Sequence, residues 1–208
     1  MSILSKLASA LGRRDEVPNQ ELAKAIVRLG DASAVAELVE NFRNKNKDIQ
    51  SDCIKVLYEI GVLKPGLIAP HLVAFANLLD SKNNRLAWGA MTALDAIASV
   101  DPPGIYAFLP KIIAVADAGS VITRDHAVGI LIKLMPEKKY AEDCFTLLLE
   151  QLAKCPTNQL PMYAENAAPV IASGNKTMFV KTLSERLGEI DKESKRIRVE
   201  KVIRKMGK

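Results

Sequence analysis

Apolar residues recur along the chain in one spacing, in which a small or aliphatic residue is followed by apolar residues three, four and seven positions later. This spacing places side chains on one side of an α-helix, because the helix makes a turn about every 3.6 residues. Six segments show it, and they begin at Leu22, Cys53, Ala90, Ala127, Ala164 and Val199. The starting positions are 31, 37, 37, 37 and 35 residues apart. The pattern therefore predicts a repeated helical unit.

A second apolar segment follows each of the first five template helices. These segments run over residues 35–42, 67–79, 105–115, 144–152 and 178–187. Breakers such as Gly30-Asp31, Lys64-Pro65-Gly66 and Asp101 to Gly104 separate the segments, as turns between antiparallel helices require. No segment alternates with period two over enough residues to predict a strand. The sequence thus predicts an all-α solenoid of about five helical hairpins over residues 18–189, within one domain covering residues 1–208.

The two ends of the chain predict capping helices, since a stack of hairpins needs a polar outer side at each end. At the C-terminus, a basic helix over residues 191–206 would bury Val199 and Val202 while its cations face water. At the N-terminus, residues 1–14 would hold a helix near 2–12 with Ile3, Leu4, Leu7 and Leu11 on one side. An amphipathic anchor to a membrane or partner is the alternative for this segment. Pro169 predicts a kink in the fifth template helix.

The repeats resemble HEAT repeats, in which a polar cap, an arginine and an alanine precede a leucine. The fourth unit, Arg-Asp-His-Ala-Val-Gly-Ile-Leu at residues 124–131, shows this best, and residues 84–94 are close to it. Residues 67–73 and 107–113 resemble the Leu-Pro-x-Leu phrase of HEAT second helices. The fifth and sixth units lack the arginine and aspartate of the pattern. The resemblance covers about residues 18–206 and implies a solenoid whose second helices line a concave surface.

Composition excludes several classes of protein. The chain has 208 residues, of which 49% are hydrophobic and 25% charged, which excludes a disordered chain. No apolar run approaches the roughly 20 residues of a transmembrane helix. Three widely spaced cysteines and two histidines, His71 and His126, predict no disulfide framework and no metal site. The odd cysteine count and the absence of a secretory signal predict a cytoplasmic protein.

Positive charge is concentrated at the C-terminus. Residues 174–208 hold eleven Lys or Arg against five Asp or Glu, whereas residues 1–173 hold 18 against 19. Clustered cations can bind phosphates by releasing counterions from nucleic acid. The candidate phosphate-binding residues are Lys195, Arg198, Lys201, Arg204 and Lys205. The alternative is a solvated cap, which is favoured because Glu193 and Glu200 interrupt the patch and no aromatic residue lies among the cations to stack a base.

The second helices carry very few charges. Residues 65–79 contain no Asp, Glu, Lys or Arg, and residues 103–116 contain only Lys111. Apolar surface of this kind is either covered by a neighbouring helix or left open for a partner. The candidate groove residues are His71, Asn77, Tyr106 and Lys111, although local packing explains His71 and Tyr106 equally well.

No catalytic motif occurs in the sequence. It contains no glycine-rich phosphate loop, no Gly-x-Ser-x-Gly elbow and no metal-binding histidine pair, so we expect neither a cofactor nor an enzyme. HEAT-like DNA glycosylases use a carboxylate and several tryptophans on a basic concave surface, but Trp88 is the only tryptophan here and is expected to pack between repeats. The sequence therefore favours a protein-binding scaffold or adaptor, with nucleic-acid binding through the C-terminal helix as the alternative.

Overall fold

The computed structural model describes residues 2–207, which form twelve α-helices and no strand. The helices are α1 Val17–Leu29, α2 Ala32–Glu40, α3 Lys47–Leu63, α4 Leu72–Leu78, α5 Asn84–Ile97, α6 Pro102–Ala107, α7 Leu109–Ala118, α8 Val121–Leu134, α9 Ala141–Lys154, α10 Leu160–Ala167, α11 Lys176–Glu185 and α12 Glu193–Met206. The all-α helical-repeat prediction is confirmed. The chain divides into two compact units between Ala127 and Val128, a point that lies within α8.

The repeated apolar template forms the core of both units. All of its positions are buried except Ala25, Leu29 and Ile203. Leu29 is 72% exposed because α1 ends there, at Gly30 with φ of 65°. Burying one Val, Leu or Ile side chain stabilises the fold by about 1.5–3 kcal/mol. The repeated template is therefore a repeated core contact.

The template helices pack on one another in the N-terminal unit. Helix α3 contacts α1 on one side and α5 on the other, while α2 and α4 each pack against the template helix that follows them. Gly89 allows α5 to approach α3 closely, because a Cβ at this position would lie 2.4 Å from Cγ1 of Ile54. The ring of Phe42, in the 3₁₀ turn after α2, meets the ring of Phe75 on α4 edge to face with centroids 5.8 Å apart.

Aspartate and asparagine side chains start the helices where the sequence placed turns. Asp31 accepts a hydrogen bond from the N–H of Ala34 at 2.9 Å, and Asp101 from that of Gly104 at 3.0 Å. Asn46 and Asn83 cap α3 and α5 in the same manner. Each cap satisfies a backbone donor that the first helical turn leaves without an internal partner.

Prolines divide two of the second helices, which the sequence had presented as continuous segments. Residues 65–71 form two 3₁₀ turns before α4, with Pro70 in the second turn. Phe108 separates α6 from α7, and Pro110 lies in the first turn of α7. A proline lacks the N–H donor and crowds the preceding turn, so the helix restarts there. The bend expected at Pro169 occurs similarly, since α10 ends at Ala167 and a 3₁₀ turn follows over Ala168–Val170.

The prediction of an N-terminal helix near residues 2–12 is wrong. Only Ile3–Lys6 is helical, as a 3₁₀ turn, and turns follow it. Leu7 is fully buried, but Leu11 is 54% exposed. The physical reason is that side chains of other helices take the backbone donors that an α-helix would have used. The N–H groups of Ala8 and Ser9 donate to the side chains of Asn19 on α1 and Asp52 on α3. The N–H of Ile3, which a helix beginning at residue 2 would leave without an internal partner, donates to Glu37 on α2.

In the C-terminal unit, α10 packs against α12, and α11 contacts both α9 and α12. Arg186 follows α11 and is only 8% exposed. Its guanidinium donates to the carbonyl oxygens of Leu152 at 2.5 Å and Cys155 at 2.9 Å, at the end of α9. A buried cation there satisfies carbonyls that have no partner within α9.

Candidate functional site

A cleft of about 810 Å³ opens along the template helices of the N-terminal unit. Its walls come from residues 8–16, from α1, α3 and α5, and from the first turn of α8. We call it the first-helix cleft. Its volume falls within the range of roughly 300–1,000 Å³ that ligand pockets occupy.

Hydrogen bonds fix one wall of the first-helix cleft. Asn19, which is 2% exposed, accepts from the N–H of Ala8 at 3.0 Å and donates to Asp52 at 2.7 Å. The other carboxylate oxygen of Asp52 accepts from the N–H of Ser9 at 2.8 Å. Because buried polar groups of this kind are costly to leave without partners, these bonds hold the N-terminal segment against α1 and α3.

Most acidic side chains at the cleft already have partners within the chain. Arg13 binds Asp15 through two hydrogen bonds of 2.8 and 2.9 Å, and the bond from Arg13 lowers the pKa of Asp15. Lys55 pairs with Glu16 at 2.7 Å and with Glu59 at 2.8 Å. Burial acts to lower the pKa of Lys55, but these two carboxylates outweigh burial and raise it. Lys55 is therefore a charged part of the wall.

Two arginines at the cleft are not engaged in this way. Arg14 and Arg85 line the cleft and are exposed, and neither has a hydrogen-bond or ion-pair partner among residues 2–207. Trp88 on α5 and Tyr58 on α3 also line the cleft, and each is partly exposed. Trp88, which was expected to pack between repeats, lines this open cleft.

A hydrogen-bonded histidine next to the cleft was not found by sequence reasoning. Nδ1 of His126 lies 2.8 Å from Asp95, and Nε2 lies 3.0 Å from the hydroxyl of Thr92, which itself donates to the carbonyl of Trp88. The only signal in the sequence was position within the repeat. His126 directly precedes Ala127, where the fourth template segment begins, and Asp95 lies in the third template segment. The network ties the start of α8 to α5.

The predicted groove residues lie on the second helices and are only partly open to solvent. Asn77 is exposed on α4, whereas His71 and Tyr106 are half-buried. Lys111 reaches back to Asp80 with an Nζ to carboxylate distance of 2.6 Å. The lone positive charge of this region is therefore neutralised by an ion pair.

The candidate phosphate-binding residues divide into two groups on α12. Arg198 binds Glu165 on α10 through two hydrogen bonds of 2.8 and 2.5 Å, and this contact lowers the pKa of Glu165. Lys195 binds Asn158. Lys201, Arg204 and Lys205 remain exposed on α12. The helix thus combines cations used within the C-terminal unit with three that face solvent.

The cysteines lie in the core and show no reactive environment. All three are free and buried. Burial is the main cause that raises the pKa of the Cys53 thiol to about 12 and that of Cys144 to about 11. Residues 2–207 hold no cluster of three metal-binding side chains. Nor does any helix within that range have the length and apolar character needed to cross a membrane.

Comparison with known proteins identifies the architecture. No family model and no curated protein sequence matches the chain. A designed armadillo repeat protein in complex with the peptide (KR)4 matches it with a TM-score of 0.68 and 14% identity, over 91% of this chain and 87% of that one. Computationally designed armadillo repeat proteins for modular peptide recognition match with a TM-score of 0.66 and 15% identity, over 98% of both chains. An engineered protein matches with a TM-score of 0.63 and 18% identity, over 99% of this chain and 98% of that one. The chain therefore has an armadillo-like helical-repeat fold.

Proposed function

We propose that this chain is a non-enzymatic scaffold that binds an extended protein segment along the exposed side of α4, α6 and α7, here called the second-helix surface. The observation that carries the proposal is the low charge there, since Lys111 and Asp117 are the two charged residues of α4, α6 and α7, and Lys111 is paired with Asp80. A solvated surface of a basic protein normally carries many more charges. The peptide ligands of similarly folded designed proteins support this choice of partner.

The second-helix surface offers both apolar contact and hydrogen bonds. Val73 is 58% exposed on α4, and Pro110 and Ala114 are exposed on α7. Asn77 presents an amide that can both donate to and accept from a peptide backbone. Such a surface would bind through burial of apolar area, and its affinity should depend little on salt.

The test is selection from a random peptide display library on the full chain, followed by affinity measurements on the enriched peptides. Val73→Asp places a charge in the middle of the surface and should weaken binding at least tenfold. Val62→Asp is the matched control, because Val62 is 68% exposed on α3 and lies outside the second-helix surface. Equal effects of the two substitutions, or enriched peptides insensitive to both, would contradict the proposed surface.

Nucleic-acid binding through α12 is the second candidate, and the exposure of Lys201, Arg204 and Lys205 favours it. Arg198 is less suited to phosphate because Glu165 already occupies its guanidinium. Lys201→Glu with Lys205→Glu should then abolish binding of single-stranded DNA at low salt. A protein ligand retained in high salt after nuclease treatment would instead support the scaffold. The three free thiols agree with a reducing compartment, and we propose a cytoplasmic location.

A further inference from the structure

We propose that residues 2–12, here called the strap, gate one side of the first-helix cleft and open while the helices stay folded. Ala8, Ser9 and Gly12 of the strap line the cleft, and residues 13–16 link the strap to α1. Opening the strap would therefore remove part of the wall and enlarge the cleft. Access to the cleft would then be controlled by this chain itself.

The strap has little of the burial that ties a segment to a cooperative core. Within residues 2–12 only Leu7 and Ala8 are buried, and the other residues are half-buried or exposed. Segments with few buried apolar contacts open at a lower cost in free energy than the core does. The strap should therefore open before α1 or α3 unfolds.

The closed strap is held by side chains and not by a shared backbone ladder. Within the described part of the chain, the backbone of residues 2–13 forms backbone-to-backbone hydrogen bonds only with itself. Three N–H groups of the strap donate to the side chains of Asn19, Glu37 and Asp52. The hydroxyl of Ser9 is buried and has no hydrogen-bond partner among the described residues. Opening returns all of these groups to water, which limits its net cost.

The hinge of the strap lies between Gly12 and Glu16. Gly12 has a φ of 68°, and nothing lies within 4 Å of the position that a Cβ would take there. Lys55 pairs with Glu16 at 2.7 Å, which keeps the end of the link beside α3. Residues 10–16 are all exposed. The strap can therefore swing about Gly12, where the backbone is least restricted, without displacing any packed side chain of the link.

The reaction rate of a thiol placed in the strap tests this gate. Ser9→Cys puts a thiol at the buried hydroxyl position, and the native Cys53 on α3 is the internal reference because it is fully buried. In the full chain at pH 8, we expect the introduced thiol to react with a thiol reagent at least about tenfold faster than Cys53. Its rate should change little with urea below the unfolding transition, because opening the strap exposes little surface. The rate of Cys53 should rise steeply with urea.

Two leucines of the strap provide a matched pair of variants. In the Ser9→Cys chain, Leu7→Ala should accelerate reaction of the introduced thiol at least about tenfold, because Leu7 is fully buried. Leu11→Ala should change that rate less than about twofold, because Leu11 is 54% exposed.

A second measurement tests whether the strap controls access to the cleft. Leu7→Asp should hold the strap open, because a charge in the buried Leu7 position is very costly. The variant should keep its helical circular dichroism and a cooperative unfolding transition. Quenching of Trp88 fluorescence by acrylamide should increase, because Trp88 lines the same cleft.

Four results would overturn the gate. Equal urea dependence of the introduced thiol and Cys53 would show that the strap opens only when the N-terminal unit unfolds. Equal effects of Leu7→Ala and Leu11→Ala would show that the reagent reaches the closed strap. Loss of cooperative unfolding in Leu7→Asp would make the strap part of the core. Unchanged quenching of Trp88 in that variant would show that the strap does not control access to the cleft.

Discussion

Replacing Arg186 with methionine should destabilise the C-terminal unit more than any change of a surface arginine. Met preserves most of the aliphatic stem and removes the guanidinium, so packing changes little. Two buried hydrogen bonds from a cation to the carbonyls of Leu152 and Cys155 are lost. Hydrogen bonds to charged groups contribute about 1.5–3 kcal/mol each. The ion pair of Arg186 with Glu189, whose side chain is 54% exposed, adds little because water competes for it.

We therefore expect Arg186→Met to lower the free energy of unfolding by about 3–5 kcal/mol. Urea titration followed by far-ultraviolet circular dichroism measures the loss, and hydrogen exchange should locate it at the end of α9 and in α11. Arg204→Met is the control, because Arg204 is exposed and donates only to a carbonyl of its own helix at 3.4 Å. A loss below about 1 kcal/mol, or one equal to that of the control, would refute the assignment of Arg186 as the residue that satisfies the end of α9.

Three further predictions concern the core and the N-terminal segment. Leu94→Asp should abolish cooperative thermal unfolding, because Leu94 is fully buried between repeats and an unpaired charge there is very costly; an unchanged melting curve would show that the helical register is wrong. Leu7→Ala should cost about 2–5 kcal/mol in urea titrations because Leu7 is fully buried, whereas a membrane anchor would leave stability unchanged and would instead lose vesicle binding. In the native chain at pH 8, Cys53 and Cys144 should fail to react with a thiol reagent, since burial raises their pKa values to about 12 and about 11, and both should react once the chain is unfolded; rapid reaction of the native chain would show that these thiols are accessible.

Local sequence signals predicted most of the helices. The apolar spacing predicted the template helices because residues about 3.6 positions apart face the same side of a helix, whatever that side contacts. Asp31 and Asp101, which the sequence placed in turns, cap the helices that follow them because capping involves a neighbour three residues away. The same local logic failed for residues 2–12, where the side chains of Asn19 and Asp52 accept from the N–H groups of Ala8 and Ser9. Those partners lie too far along the chain for a periodic pattern to show them.

The sequence by itself therefore determined the fold class, the repeat and the inward side of nearly every template helix, since these depend on spacing within one helix. The tertiary structure alone decided which charges are available to a partner. Arg198 and Lys111 were candidate binding residues in the sequence, yet Glu165 and Asp80 form ion pairs with them. Arg14 and Arg85 were not among the candidate binding residues, yet they line an open cleft beside Trp88. The physical reason is that the energy of a charge depends on its neighbours within a few ångströms, and helices from different repeats supply those neighbours.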